Sequence, residues 1–273
     1  MSTEIIQANI EVHTRMADTY NAQEPHFRPE NQRKVRGILE ALHPVRGGKL
    51  LDLGCGTGFV INLAKDLFDE VHGVDVTPAM LARIDRSSGN ITLHNTPAES
   101  LPFSNDTFDM VSSYAFIHHL ESYLPVLQEA HRVVKPGGVV YIDLEPNKLF
   151  WEHMCKLENA GETGLSDIVL KEIDSVLHTD DRVEEEFGIP KDTFQKAEFT
   201  KSILGGIDPL QFREECRAIG FATCETHYEW FLGQGAVMHG QSFEAADLIG
   251  AYLRRVLPLS AHLFKYLRFV LKK

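Results

Sequence analysis

The sequence predicts an α/β fold: a mostly parallel sheet with helices on both faces. Short apolar runs at 49–54, 70–75, 91–96, 109–114 and 139–145 are separated by helix-length segments, and that alternation demands a parallel sheet with right-handed crossovers. A glycine-rich run, Leu51-Asp52-Leu53-Gly54-Cys55-Gly56-Thr57-Gly58, sits at the first strand-to-helix junction. The chain has 273 residues and 43% apolar content, enough to bury the core of one large domain or of a domain plus a cap.

The first junction reads as a ligand loop. Its alternating glycines allow positive φ and let backbone approach a ligand with no Cβ in the way, while Asp52 closes the strand with a negative charge that suits a cation. A dinucleotide fingerprint would need a third glycine, but Phe59 stands there, and no Gly-Lys-Ser/Thr follows to make a phosphate loop.

The next strand, Glu70 to Asp75, ends in an acid about 20 residues after the loop, where a βαβ unit places a carboxylate near a ribose. Thr77-Pro78 then supplies an N-cap and a first-turn proline, so Ala79, Met80 and Leu81 open a helix. Leu120, Leu124, Leu127, His131 and Val134 keep near-helical spacing and predict a helix over Glu121 to Val134, with His131 as a packed or edge residue. Pro136-Gly137-Gly138 predicts a tight turn into the fifth strand.

The loop resembles motif I of the class I S-adenosylmethionine-dependent methyltransferases, of small-molecule and quinone type. Ala98-Glu99-Ser100-Leu101-Pro102-Phe103, Phe108-Asp109-Met110-Val111 and Arg132 to Asp143 resemble later segments of the same family, and the likeness is strong over residues 49–146. It implies a Rossmann-like, seven-stranded sheet and S-adenosyl-L-methionine as cofactor, with S-adenosyl-L-homocysteine as product. By this resemblance Asp52, Gly54, Cys55, Gly56, Thr57 and Gly58 hold the methionine half. Asp75, with Val76 and Met80, meets the ribose. Pro97, Ala98 and Glu99 flank the adenine, although many relatives carry an acid where this chain has Pro97. Tyr114, Ala115 and Phe116 wall the methyl donor.

The implied activity is methyl transfer to an O, N or C atom of a small-molecule acceptor. Two alternatives stay open: a lipid or quinone methyltransferase at a membrane surface, and a protein that binds the cofactor or its product without turnover. Strand C-termini in such sheets face the ligand crevice, which makes His118, His119 and Glu145 the candidate bases if the acceptor arrives protonated.

The flanks predict a helical cap (1–46), a helical insertion (147–206) after the core (47–146), and a completion of the sheet (207–273). In the cap, Tyr20, His26 and Arg28 are candidate acceptor contacts, with a helix over Glu30 to Leu42. In the insertion, Ser166-Asp167 can cap a helix whose Val169, Ile173, Val176 and Leu177 face one way. It reads as a lid or as a dimerisation arm, so both a monomer and a homodimer remain open. Asp208-Pro209-Leu210 starts another helix. The basic, apolar end, Leu253 to Lys273, reads either as a helix over 243–257 followed by a closing strand, or as a segment for peripheral membrane contact. A net charge of −12 argues against nucleic acid. The four cysteines show no metal or disulfide spacing, no secretory signal or long apolar span is read, and the expected location is cytoplasmic.

Overall fold

Leu50 and Leu51 are both fully buried although they point to opposite faces of one strand, because side chains alternate across a strand and this one is covered on both sides. The computed structural model describes residues 2–43, 47–160 and 164–273, so residue 46, the expected end of the cap, lies outside the described residues. Its seven strands are β1 (Lys49–Leu53), β2 (Glu70–Asp75), β3 (Ile91–Asn95), β4 (Phe108–Tyr114), β5 (Val134–Pro146), β6 (Thr223–Phe231) and β7 (Phe264–Lys272). They form one sheet in the order β3-β2-β1-β4-β5-β7-β6, with β7 alone running antiparallel to its neighbours. The order reverses direction at β1, and the crevice beyond the C-terminal ends of β1 and β4 is where such sheets bind ligands.

Three helices precede the sheet: α1 (Thr3–Met16), the single turn α2 (Tyr20–Gln23) and α3 (Pro29–Leu42). Val35 and Leu39 of α3 pack with α4 (Phe59–Ala64) against Leu50, Met110 and Tyr141 on one face of the sheet. The short α5 (Pro78–Leu81) follows β2, with Thr77 at its N-cap. On the opposite face, α6 (Leu124–Val133) and α12 (Pro209–Ile219) bring Val126, Leu127, Phe212 and Cys216 against Leu51, Val111 and Phe269. Asp208 caps α12 by accepting from the N–H groups of Leu210 and Gln211.

Between them runs the insertion: α7 (Lys148–Asn159), α8 (Asp167–Leu177), α9 (Thr179–Phe187), α10 (Lys191–Ala197) and α11 (Phe199–Ser202). Its ends meet, for the Lys148 N–H donates to Ile207 O and the Ile207 N–H donates to Pro146 O. Ile173 and Val176 of α8 bury against Phe150 and Trp151 of α7, while α9 and α10 pack Val183 and Phe194 on Ala8 and Val12 of α1. Helices α13 (Gln234–Gly240) and α14 (Phe243–Arg255) connect β6 to β7.

One expectation changes. Pro136-Gly137-Gly138 is not a tight turn before a strand but a bulge inside β5: Val134 already pairs with Phe108, and the register resumes at Val139 opposite Met110. Of the two readings of the end segment, the closing strand is the one observed, and two of its basic residues turn inward while Arg254, Arg255 and Lys272 stay exposed. Arg268 pairs with Asp143 and Glu229, and Lys273 donates to Asp106 and to carbonyls of His131 and Val134. The segment closes the sheet as β7. No helix among the described residues is long and apolar enough to cross a membrane.

Candidate active site

The bend from β1 into α4 requires its glycines, since Gly54, Gly56 and Gly58 have φ of 63°, 50° and 86°, a region that L side chains enter at a cost. A Cβ at Gly54 would also lie 2.1 Å from the Phe116 ring. At the end of β2, Asp75 accepts from the Gly56 N–H at 2.9 Å and from the Thr77 N–H at 2.8 Å. Each oxygen keeps a lone pair, because an ionised carboxylate has about four acceptor sites. Asp52 is buried and accepts from Ser112 Oγ at 2.7 Å. Burial pushes its pKa up to about 7 against the pull of the Ser112 hydrogen bond, and the Asp75 charge adds to the rise.

These residues face a cleft lined also by Cys55, Thr57, Val76, Met80, Ala98, Glu99, Tyr114, Ala115 and Phe116. Of the residues expected at the cofactor, only Gly58 and Pro97 do not line it: Gly58 turns the chain into α4. The N-terminal elements close the other side. Asn21 Oδ1 accepts from Thr57 Oγ1 at 2.5 Å, and the buried His26 ring lies 4.8 Å from Phe59 and 5.5 Å from Tyr114, centre to centre. Burial lowers the His26 pKa to about 4. The cleft holds about 70 Å³ of free space. Arg28, expected beside Tyr20 and His26, lines a different cavity across the wall made by His26 and Tyr114, together with Lys34 and Lys265.

Beyond β4, Ala115 takes a left-handed φ of 51° and starts a tight helical turn, Ile117–His119. The turn is held by Glu145 of β5. The carboxylate of Glu145 accepts from the N–H groups of Phe116, Ile117 and His118 at 2.9–3.1 Å and meets His118 Nδ1 at 2.8 Å. Glu145 is fully buried and lines none of the cavities described in this section, so its geometry is that of a scaffold and departs from the expected free base.

The other side of the histidine pair comes from the insertion. His119 Nδ1 lies 2.8 Å from Ala197 O and 3.2 Å from Glu198 Oε1, while Glu198 Oε2 meets Lys201 Nζ at 2.6 Å and His118 Nε2 at 3.7 Å. Burial by itself would lower the His118 pKa, but the Glu145 and Glu198 charges outweigh it and raise it. His119, penalised by burial and then by the His118 charge, falls to about 3. Burial would raise the Glu198 pKa; Lys201 and the two histidines reverse that and hold it well below the usual carboxylate range. The ligand atoms of His118, His119 and Glu198 gather within 4.8 Å, a spacing compatible with a metal ion. However, both carboxylates already have close partners, Glu145 in His118 Nδ1 at 2.8 Å and Glu198 in Lys201 Nζ at 2.6 Å.

A cavity of about 180 Å³ opens beside this cluster, lined by His118, His119, Glu198, Lys201, Tyr20 and Tyr266 among others. It shares His13, Tyr20, Ala115 and His119 with the cleft. Sequence reading missed Glu198 and Lys201, which follow no motif, and Tyr266, which was read only as part of a strand.

Residues 51–142 match the family model described as a methyltransferase domain. Over these residues the chain is similar to a methyltransferase domain. The matched stretch runs from β1 into β5, and so includes the loop, Asp75 and the histidine pair but none of the insertion. The methyltransferase-like chain is 38% identical over 121 residues to a demethylmenaquinone methyltransferase of Chlorobaculum parvum, covering 43% of this chain and 50% of that protein. It is 30% identical over 128 residues to a malonyl-[acyl-carrier protein] O-methyltransferase of Enterobacter lignolyticus, covering 46% and 51%. The chain spans about half the length of the curated relatives it matches. Among solved structures, phosphoethanolamine N-methyltransferase 2 of Haemonchus contortus, in complex with S-adenosyl-L-methionine, superposes with a TM-score of 0.57 at 19% identity, over 95% of this chain and 56% of that one. An S-adenosylmethionine-dependent methyltransferase of Archaeoglobus fulgidus gives a TM-score of 0.53 at 17% identity, over 89% and 92%. At these identities the likeness is one of fold.

Proposed function

We propose that the chain binds S-adenosyl-L-methionine in the cleft at the β1–α4 bend and transfers its methyl group to a small molecule held in the adjoining cavity. The observation that carries this reading is the pair of acids at the crevice. The Asp75 charge raises the cost of ionising Asp52 in a cleft lined by no Lys or Arg among the described residues, and a ligand bearing an ammonium and a sulfonium relieves it. Asp75 retains acceptor capacity for ribose hydroxyls, and Ala98 and Glu99 stand where the adenine would lie.

When bound, the cofactor supplies an electrophilic methyl carried on sulfur. The chain's own contribution is alignment and exclusion of water, and effective molarity of this kind lowers a barrier by about 7–11 kcal/mol. Tyr20 and His119 border both spaces, so they form the wall across which the acceptor atom meets the methyl. Glu145 fixes the turn that aims His118 and His119. A binding pocket for a drug-sized ligand is about 300–1,000 Å³, so the cleft widens on binding, by movement of the Phe116 ring or of the N-terminal elements that seal it.

The relatives named above act on acceptors as different as a quinone and a carrier-bound acid, and they leave the methylated atom open. Titration with S-adenosyl-L-homocysteine in a calorimeter tests the binding half: saturable one-site binding is expected, and none would end the proposal. Incubation with methyl-labelled cofactor and a metabolite extract tests the transfer half. Binding without label in any acceptor would favour the non-catalytic reading.

A further inference from the structure

The insertion delivers two charged side chains to the floor of the acceptor cavity, Glu198 and Lys201. Resting on the reading above, we propose that His119 presents its Nε2 lone pair to a methyl acceptor bearing an N–H or O–H group, and that Glu198, held by Lys201, is the positioning residue that fixes this tautomer.

His119 has two ring nitrogens and only one partnered edge. Its Nδ1 lies within hydrogen-bond distance of a carbonyl, Ala197 O, and near a carboxylate oxygen of Glu198. Both are acceptors only, so Nδ1 carries the proton and Nε2 is the acceptor. Nε2 has no hydrogen-bond partner among the described residues, and the ring lines both the cleft and the acceptor cavity. The surroundings keep the ring neutral: it is buried, and its centre lies 4.2 Å from that of the tilted His118 ring and 5.0 Å from that of His13, which meets it edge to face.

A neutral imidazole with its proton pinned on the far side accepts a hydrogen bond and so orients a lone pair of the acceptor atom toward the methyl; as the bond from methyl to sulfur breaks and the new bond forms, the acceptor's proton passes along that hydrogen bond to Nε2 and on to solvent. A hydroxyl or amine acceptor offers the donor that Nε2 lacks. An acceptor atom without an attached hydrogen gains nothing from it.

Glu198 serves both rings. One oxygen faces His119 and the other is shared between Lys201 and His118, so loss of its charge leaves Ala197 O as the remaining acceptor for the Nδ1 proton, weakens the preference for that tautomer, and removes one of the two anions flanking His118. The groups facing the pair are Glu145 from β5, Glu198 and Lys201 from the insertion, and His13 from α1, with Tyr20 and Glu24 at the cavity wall.

Imidazole ¹⁵N spectra of the full chain, recorded with S-adenosyl-L-homocysteine present and absent, test this without knowledge of the acceptor. The expected wild-type result is a single Nδ1–H tautomer for His119, neutral from pH 5 to 8, beside a His118 that holds its proton to higher pH than His119 does. In Glu198→Gln, which keeps shape and removes charge, His119 should show mixed tautomers and His118 should release its proton at a lower pH. Lys201→Met should leave the His119 tautomer mixed in part. An Nε2–H tautomer in the wild type, or spectra unchanged in Glu198→Gln, would overturn the proposal.

Once an acceptor is found, Glu198→Gln should lower kcat about 10-fold or more with homocysteine-product affinity unchanged, and Glu198→Asp should recover part of the loss. An equal fall in product affinity would assign Glu198 a merely structural role. Failure of the calorimetric titration sinks the methyltransferase reading, whereas a wrong His119 tautomer with intact binding sinks only this inference.

Discussion

The two ends of the site solve opposite electrostatic problems. At the histidine cluster, Glu145 and Glu198 face His118 and Lys201, each within 4 Å of a counter-charge, and the group is complete in itself. At the cleft, Asp52 and Asp75 approach each other with backbone N–H groups and one hydroxyl as their partners, and burial leaves Asp52 reluctant to ionise. A balanced cluster is a piece of architecture. An unbalanced one favours a partner of the opposite sign, which is why the ligand proposed for it is a cation.

The contrast breaks most visibly at Glu145. Replacing it by alanine strands three backbone donors and leaves His118 with one anion fewer, in a fully buried setting; about 3–5 kcal/mol of stability should be lost, read by urea unfolding. A loss under about 1 kcal/mol would show that the cluster is not the structural unit described. Next comes Asp75→Ala, which should weaken S-adenosyl-L-homocysteine binding by about 1–3 kcal/mol in calorimetry through lost charged hydrogen bonds. Unchanged affinity would remove the ribose assignment.

The pH dependence sharpens the same point. Asp52 binds its proton more tightly in the folded chain than in the unfolded one, so its contribution to stability is full at low pH and is lost as pH rises through about 7. A cationic ligand favours the ionised form and expels that proton. Affinity should therefore rise with pH, by at most about tenfold per unit below pH 7, and flatten above it. Asp52→Asn should abolish this slope; a slope that persists would assign it to another group. Smallest is Lys49→Met: solvent screens its exposed pair with Glu70, so the urea midpoint should not move measurably, and a clear shift would give this surface pair a weight the comparison denies it.

The cleft and the cluster also differ in how far the sequence disclosed them. The loop, Asp75 and the residues after β4 fall on strand ends in a fixed order, so periodicity and glycine spacing located them and the sheet together. Glu198 sits 79 positions from His119, between α10 and α11 of an insertion whose composition resembles any solvated helix, and the packing of α10 against α1 together with the hydrogen bond from Thr200 to Leu120 O carries it to the site. For Arg268 and Lys273 the sequence left two readings open, because a basic side chain looks the same in sequence whether it meets a lipid headgroup or the carboxylates and carbonyls it meets here. The Pro-Gly-Gly segment was read as a turn because its residues allow one; the pairing of Val134 with Phe108, invisible in local sequence, makes it a bulge.

The hydrogen bond from Thr57 to Asn21 ties the cofactor loop to the segment that also carries Tyr20, a wall of both chambers. Any nucleoside exchange that lifts this segment takes the acceptor's wall with it. Turnover should thus be sequential: the nucleoside docks first, the methylated compound departs while the tie is closed, and the spent sulfide leaves last, with its escape setting the pace.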